Sequence, residues 1–170
     1  MAKLRVSRVS GRSLARDWRS VHNAVIPTAL LSLDEVLERA RRNLLEVAYL
    51  DAAPIGCTTV RPATGDEPVT VIARVLPGYR GRGFGAALYR RGLRQARDLG
   101  AEEVQTIVLG SNHDGLRFAQ ARGFVESQRY VLDGETVPYI HLVVHLEPAA
   151  PDAATPAGRS PRPPAPGSRR

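Results

Sequence analysis

Cysteine is almost absent from this sequence, with Cys57 as its single copy in 170 residues. One cysteine cannot form an intramolecular disulfide framework, and it cannot supply the ligands of a cysteine-based zinc site. Cys57 lies in an apolar run, residues 54–60, that is typical of a strand. We therefore predict a small buried side chain at this position, with no nucleophilic role.

Long hydrophobic runs are also missing, since no stretch reaches the length of a membrane-spanning helix. The first residues lack the hydrophobic segment of a signal peptide. These absences predict a soluble, cytoplasmic protein with no membrane partner. The length of 170 residues suggests one domain. We expect it to span residues 1–147, because Pro, Ala, Gly, Ser and Arg dominate residues 148–170 and predict a disordered tail.

Aromatic residues are few, with five tyrosines, three phenylalanines and one tryptophan. They do not alternate with basic residues as a base-stacking surface requires. The net charge of +7 suits a polyanionic cofactor as well as a nucleic acid. Part of this excess lies in the tail, so the folded part is only moderately basic. Nucleic-acid binding is therefore the disfavoured alternative.

The central feature of the chain is a glycine-rich turn between a predicted strand and a predicted helix. Residues 69–76 form an apolar, β-branched run that ends at Pro77. After the turn, apolar residues recur at helical spacing until Gly100. Free N–H groups at a helix start, glycines without a Cβ, and the charges of Arg80 and Arg82 together favour an anion such as a diphosphate.

Three phosphate-binding motifs compete for this turn. A Walker A loop is excluded because its Gly-Lys-Ser/Thr ending is absent. A Rossmann fingerprint can be traced through Gly81, Gly83 and Ala86, but a hairpin is predicted before it and only about three strands after it. The segment Arg80-x-x-Gly83-x-Gly85 resembles instead the acyl-CoA pyrophosphate loop of the Gcn5-related N-acetyltransferases, the GNAT family.

A second segment carries the same resemblance. GNAT proteins often have an asparagine, then a short helix, then Gly-Phe at the start of another strand. Here these residues are Asn112 and Gly123-Phe124, at the expected spacing. Two motifs in the right order and separation are far more specific than either one alone.

The resemblance implies an α/β (α+β) fold, with a mixed, mostly antiparallel sheet of about seven strands and helices on both faces. Ser13 is expected to cap the first helix, and Ser32 with Glu35 to form a capping box on the second. The strand after the glycine-rich helix should run parallel to the strand before it. The patterns predict strands at 4–9, 44–50, 54–61, 69–76, 103–109, 125–132 and 139–146, and helices at 13–23, 33–41, 84–99 and 112–123.

The resemblance also implies a reaction, which is acetyl transfer from acetyl-CoA to a primary amine by direct attack. Open main-chain groups of the central strand would pair with pantetheine, and the Val75 N–H would polarise the thioester carbonyl. The N–H groups of residues 81–86 would hold the pyrophosphate, while Asn112 would hold pantetheine or cap the next helix. The residues expected to bind acetyl-CoA are Ala73, Arg74, Val75, Arg80, Gly81, Arg82, Gly83, Phe84, Gly85, Ala86 and Asn112.

The catalytic acid and base are not assigned by the resemblance. Many family members have a tyrosine seven residues after the equivalent of Asn112, where it protonates the leaving thiolate, but this chain has Ala119 there. Glutamate bases of other members align with Val69 or lie near Ile107, and neither residue can titrate. The titratable residues nearby are Asp66, Glu67, Tyr79 and His113. A CoA- or nucleotide-binding module without turnover is therefore the alternative function.

The acceptor is expected to be a small-molecule or peptide amine, and homodimers are common among similar proteins. In the resemblance, Trp18, His22 and Asn23 lie in the acceptor wall, although a core Trp18 and a surface His22 are the simpler expectation. No metal is predicted, because His141 and His145 share a strand face without further ligands and are expected to be partly exposed.

Overall fold

The computed structural model describes residues 3–148, which form seven strands and four helices. A single 3₁₀ turn, Pro77–Tyr79, precedes the third helix. The predicted tail lies outside the described residues from residue 149 onward. The strands are β1 (Leu4–Arg8), β2 (Leu44–Leu50), β3 (Ala53–Arg61), β4 (Val69–Val75), β5 (Glu103–Leu109), β6 (Val125–Tyr130) and β7 (Tyr139–His145). The helices are α1 (Gly11–Val25), α2 (Leu33–Arg42), α3 (Phe84–Asp98) and α4 (His113–Gln120).

The strands form one sheet in the order β1-β2-β3-β4-β5-β7-β6. Strands β4 and β5 run parallel, and every other neighbouring pair is antiparallel. Helices α1 and α2 pack on one face of the sheet and α3 packs on the other. The predicted mixed, mostly antiparallel sheet with helices on both faces is therefore confirmed. None of the helices in the described range is both long and apolar enough to cross a lipid bilayer.

Apolar layers on the two faces fix β4 in the middle of the molecule. On the α1–α2 face, Trp18 and Val36 pack in one cluster with Val47 and Cys57, and Cys57 is fully buried as predicted. On the opposite face α3 lies so close to β4 that a Cβ on Gly92 would be 2.5 Å from Cγ1 of Val71. A larger residue at position 92 would push α3 away from the strand that it must accompany.

Strands β2 and β5 match the sequence prediction at both ends, six elements differ from it by a single residue, and α1, α4 and β6 differ by two or three. Helix α4 ends at Gln120 rather than at residue 123, where Gly123 has a φ of +84° that an α-helix does not use. Helix α1 begins at Gly11, so the prediction of Ser13 as its N-cap is wrong, because apolar spacing defines the buried face of a helix but not its first residue. Strand β6 ends at Tyr130 rather than at residue 132, because Tyr130 pairs with Tyr139, the first residue of β7. The capping box of α2 is confirmed, with Glu35 N–H donating to Ser32 Oγ at 3.2 Å.

The centre of the sheet is only partly paired. Strands β4 and β5 match at two positions, Val69 with Val104 and Thr70 with Gln105, and then separate. By contrast, β4 pairs with β3 over six positions. One edge of the second half of β4 therefore has no strand partner, although it lies in the interior of a seven-stranded sheet.

Candidate active site

A cavity of about 630 Å³ lies where β4 and β5 separate. Its walls come from the second halves of these two strands, from the glycine-rich turn and from α4. Of the residues expected to bind acetyl-CoA, nine line this cavity and two do not. The nine are Ala73, Arg74, Val75, Arg80, Gly81, Gly83, Gly85, Ala86 and Asn112.

The main chain of β4 presents two residues to this cavity. Leu76 N–H donates to the Ile55 carbonyl of β3 at 2.9 Å, and successive residues of a strand point their backbone groups to opposite edges. Arg74 therefore directs its backbone groups toward β3, whereas Ala73 and Val75 direct theirs toward the open edge. The Val75 carbonyl already accepts a bond from Arg80 Nε at 3.0 Å. Free donors of an extended strand thus remain at Ala73 and Val75.

The glycine-rich turn adds a second set of free donors. Gly83 has a φ of +82° and is the last residue before α3, a backbone conformation that glycine adopts without strain. The first N–H of this segment to bond back along the helix is that of Ala87, which donates to the Gly83 carbonyl. The N–H groups of Phe84, Gly85 and Ala86 precede it and have no acceptor within the helix. Together with the helix dipole they form a site suited to an anion.

Arg82 and Phe84 are the two expected residues whose side chains lie elsewhere. The Arg82 guanidinium lies 5.2 Å from the ring centre of Phe84 and 5.8 Å from that of Tyr79. Neither Arg82 nor Phe84 is among the residues that line the cavity. Of the two arginines in the motif, only Arg80 therefore reaches the cavity.

Helix α4 forms the opposite wall of the cavity. Asn112 caps it, with Oδ1 accepting a bond from the Gly115 N–H at 3.0 Å. Ala119 is buried and lines the cavity, so this wall has a methyl group where similar proteins place a phenol. The nearby phenol of Tyr89 also lines the cavity, and burial raises its pKa to about 12, which keeps it protonated.

A chain of polar side chains crosses the sheet on the α1–α2 face. Gln105 Nε2 donates to Glu67 Oε2 at 3.2 Å, and Gln105 Oε1 lies 3.0 Å from His141 Nδ1. Because that amide oxygen can only accept, His141 carries its proton on Nδ1, which makes Nε2 a hydrogen-bond acceptor. Nε2 lies 3.3 Å from the Tyr130 hydroxyl. Sequence reasoning missed this network because strand register alone brings it together.

His141 is 7% exposed, so the prediction of a partly exposed strand histidine is wrong for this residue. The antiparallel register of β5 and β7 places it opposite Ile107, in the buried middle of the sheet. Burial lowers the pKa of His141 below its ordinary value of 6.5. The side chain is therefore neutral at pH 7 and can accept a proton. His145 remains at the exposed end of the same strand.

The three residues that the resemblance places in the acceptor wall form hydrogen bonds and packing contacts at the C-terminal end of α1. Trp18 Nε1 donates to the Thr58 carbonyl at 3.0 Å, and both amide atoms of Asn23 bond to the main chain of Leu31. His22 stacks on Trp18 and is 4% exposed, so its predicted surface position is wrong. The helix end buries this ring because Nε2 bonds to the Ala29 carbonyl of the following turn. Burial, and then the nearby Arg74 charge, lower the pKa of His22 to about 4.

The other titratable residues considered from sequence differ in position. Glu67 joins the polar network of Gln105, whereas Asp66 and His113 are exposed. Within residues 3–148 no group of three or more His, Cys, Asp or Glu side chains could hold a metal ion. Of the described histidine, tyrosine and acidic residues, Tyr89 and Asp114 line the cavity, whereas His141 belongs to the polar network on the α1–α2 face.

Solved structures with this fold provide the comparison with known proteins. A candidate phosphinothricin N-acetyltransferase is 19% identical, with a TM-score of 0.72 over 86% of this chain and 100% of the other. The candidate acetyltransferase yncA of Salmonella typhimurium, solved with its cofactor acetyl-CoA, is 17% identical, with a TM-score of 0.69 over 88% and 98%. A ribosomal-protein-alanine N-acetyltransferase of Brucella melitensis is 16% identical, with a TM-score of 0.68 over 84% and 99%. At such identities the likeness establishes the fold.

Sequence comparison establishes the family. No curated protein matches the chain in sequence. The model of the acetyltransferase (GNAT) family matches residues 12–124, which contain both the glycine-rich turn and the Asn112 segment. This match spans well over half of the chain and agrees with the open strand edge and the anion site described above. The chain belongs to the acetyltransferase (GNAT) family, and its activity is N-acetyl transfer from acetyl-CoA.

Proposed function

We propose that this acetyltransferase binds acetyl-CoA in the cavity between β4 and β5 and acetylates a primary amine that enters from the α1–α2 face. One observation carries the proposal. The free main-chain groups of Ala73 and Val75 lead directly to the free N–H groups at the start of α3. The first set suits the amides of an extended ligand, and the second suits a diphosphate.

The expected binding residues receive unequal support. Ala73 and Val75 would bind through their main chain, and Gly81, Gly83, Gly85 and Ala86 through the turn and the helix start. Arg74 has no free main-chain edge and would act through its side chain, which lines the cavity. Phe84 would bind through its main-chain N–H, and Arg82 receives the least support, since its side chain lies against the Phe84 ring outside the cavity.

Acetyl-CoA supplies an activated acetyl group as a thioester. The chain's own contribution is to hold a carbonyl oxygen against the Val75 or Ala73 N–H, where negative charge is stabilised without reorganisation. His141 is the proposed base, because the ring is neutral and its unprotonated Nε2 lies 3.3 Å from the Tyr130 hydroxyl on the α1–α2 face of the sheet. Ala119 can donate no proton, so the proton for the leaving thiolate would come from solvent or from the Tyr89 phenol that lines the cavity.

The remaining assignments follow from this activity. We propose that residues 1–147 form the acetyltransferase domain and that the tail, residues 148–170, is not required for turnover. The cytoplasm is the proposed location. A homodimer stays a prediction from the resemblance to similar proteins.

A calorimetric titration with acetyl-CoA tests the cofactor site. Gly85→Asp is the decisive variant, because an acidic residue in the first turn favours the helix but repels a pyrophosphate. A Cβ at Gly85 would meet its neighbours at 3.8 Å or more, so the variant should fold. We expect acetyl-CoA binding to weaken by about a hundredfold, close to 3 kcal/mol.

Gly134→Asp is the matched control, since it adds the same charge in the turn between β6 and β7, away from the cavity. Aspartate tolerates the left-handed conformation of that position better than most residues. The control should bind acetyl-CoA like the parent protein. Failure of the parent to bind acetyl-CoA, or equal loss in both variants, would overturn the proposed site.

A further inference from the structure

Three arginines from three different elements lie near one another on the α1–α2 face of the sheet. Arg74 of β4 pairs with Cys57 of β3, and Arg61 of β3 pairs with Thr70 of β4. Residues paired directly across antiparallel strands share a face, and Cys57 packs with Trp18 beneath α1. Arg39 lies on α2, which packs on this same face, and its charge acts on Arg74 and is acted on by Arg61. We call Arg39, Arg61 and Arg74 the arginine cluster.

The arginine cluster has no carboxylate partner among residues 3–148. All three side chains are half-buried, yet none forms an ion pair in the described part of the chain. Elsewhere the protein does pair a half-buried arginine, since Arg91 donates to both carboxylate oxygens of Glu46, at 2.6 Å and 2.9 Å. The absence of a partner is therefore a property of this face and not of the protein in general.

Unpaired cations in a half-buried position oppose folding, and like charges side by side increase the cost. Burial, and then the neighbouring arginines, lower the pKa of Arg39. Burial is also the main cause that lowers the pKa of Arg74, to which the charges of Arg39 and Arg61 add. A cluster that costs stability in the free protein is well suited to a ligand that brings negative charge.

The location of the cluster connects it with the acetyl-transfer site. Arg74 lines the cavity between Ala73 and Val75, the two residues with open main-chain edges. The same face continues across β5 and β7 to Gln105 and His141. Two carboxylates act on this region, and both already accept other bonds: Glu67 from Gln105 Nε2, and Glu35, which lies near Arg39, from the Ser32 N–H. Three positive charges therefore stand against two negative charges.

We infer that the acceptor is a small primary amine that also carries a carboxylate or phosphonate group, which the arginine cluster binds. Guanidinium groups match both anions with paired hydrogen bonds. An acid group held at the cluster leaves the amine end of the molecule free to face His141 and the open edge of β4. This inference rests on the proposed function, since it names the class of amine that the same site accepts.

Matched pairs of amines test this inference in two ways. The members with an acid group are 4-aminobutyrate and 2-aminoethylphosphonate, and their partners without one are butylamine and ethanolamine. Binding is measured by calorimetry on the protein saturated with CoA, and turnover by release of the CoA thiol from acetyl-CoA. We expect the members with an acid group to bind and react at least about tenfold better than their partners, as one charged hydrogen-bonded contact provides. The better of the two anions identifies the acid group.

Two pairs of variants assign the effect to the cluster. Arg39→Gln is compared with Arg41→Gln, which lies on the same helix but in an exposed ion pair with Glu38. Arg61→Gln is compared with Arg61→Lys, which keeps the charge. We expect Arg39→Gln and Arg61→Gln to weaken binding of the amines with an acid group about tenfold each and to leave the amines without one unchanged. Arg41→Gln should behave like the parent protein.

Each outcome decides between the two proposals. If amines without an acid group bind as well as those with one, or if no amine with an acid group binds the CoA-loaded protein, the inference fails while the cofactor site stands. If acetyl-CoA does not bind, the proposed function fails, and the amine titration on the protein alone still reports whether the cluster binds acids. Equal losses in Arg39→Gln and Arg41→Gln would also overturn the inference.

Discussion

The two sides of the active site present different chemical groups, main-chain donors on one side and side chains on the other. On the cofactor side, the groups that face the cavity are main-chain donors of β4, of the turn and of the first residues of α3. On the proposed acceptor side, the groups are side chains of residues that lie on separate strands and helices, such as Arg39, Arg74 and His141. The first side depends on backbone shape, and the second depends on which side chains the register brings together.

This difference has a consequence for how each side responds to mutation. A main-chain N–H cannot be removed by exchanging a side chain, so the cofactor side is sensitive chiefly to residues that crowd or repel. A side-chain cluster can be changed one member at a time without moving the backbone. The acceptor side can therefore change specificity while the cofactor side keeps the same ligand.

The largest expected effect separates catalysis from cofactor binding. His141→Gln keeps hydrogen-bonding atoms in the network but removes the basic nitrogen, so we expect kcat to fall by about 10²-fold or more with little change in acetyl-CoA affinity. In the parent, an acid limb of the pH–rate profile should lie below pH 6.5, because burial lowers the pKa of His141 from that value. The variant should lack this limb.

His145→Gln is the matched control for this experiment, since His145 lies on the same strand with an exposed side chain. It should leave kcat and the acid limb unchanged. An unaltered kcat in His141→Gln, or equal losses in the two variants, would show that the acceptor side does not supply the base.

The next effect concerns the stability of the acceptor side in acid. His22 has a pKa of about 4 in the folded protein and 6.5 in the unfolded chain. Between pH 4 and pH 6.5 the unfolded chain therefore binds a proton at His22 and the folded protein does not. The free energy of unfolding should therefore fall as pH decreases from 6.5 to 4. The loss due to this residue should approach about 3 kcal/mol.

Urea unfolding of the parent and of His22→Gln at pH 7 and pH 4.5 measures this contribution. The variant cannot take up the proton, so its loss of stability over the interval should be smaller by about 2 kcal/mol. Parallel curves for the two proteins would mean that His22 is protonated as easily in the folded protein as in the unfolded chain.

The smallest effect tests whether a side chain takes part in the cofactor side. Asn112 uses Oδ1 to cap α4, so Asn112→Ala should lower the free energy of unfolding by about 1 kcal/mol, and Asn112→Ser should restore most of it. Acetyl-CoA affinity, measured by calorimetry, should stay the same in Asn112→Ser. A loss of affinity in that capped variant would add a side-chain contact to a surface made otherwise of backbone.

Sequence reasoning succeeded where the information is local. The glycine-rich turn, the capping box at Ser32 and the apolar runs of the strands each lie within a few residues, and the seven-stranded sheet with its parallel β4–β5 pair followed from them and from the family resemblance. The main-chain edge of Ala73 and Val75 was also expected. Arg74 was grouped with them because periodicity alone does not fix which backbone groups face an open edge.

The positions of the side chains on the acceptor side could not be predicted from local sequence in the same way. His141 is separated from Gln105 by 36 positions, and nothing in its own neighbourhood distinguishes it from His145. His22 was expected on the surface because the burial of a helix end depends on the loop that follows it, here through the Ala29 carbonyl. Such positions are decided by the pairing of distant segments, which a single sequence does not reveal.

The short contact between β4 and β5 also has a mechanical meaning. With pairing at only Val69 and Thr70, the sheet is in effect two smaller sheets of four and three strands that share a narrow hinge. A ligand that forms hydrogen bonds with the open edge of β4 and also contacts α4 connects the two halves of the sheet beyond the hinge. Ligand binding should therefore stiffen the whole protein, and slowed amide exchange at Ala73 and Val75 would report this joining of the halves.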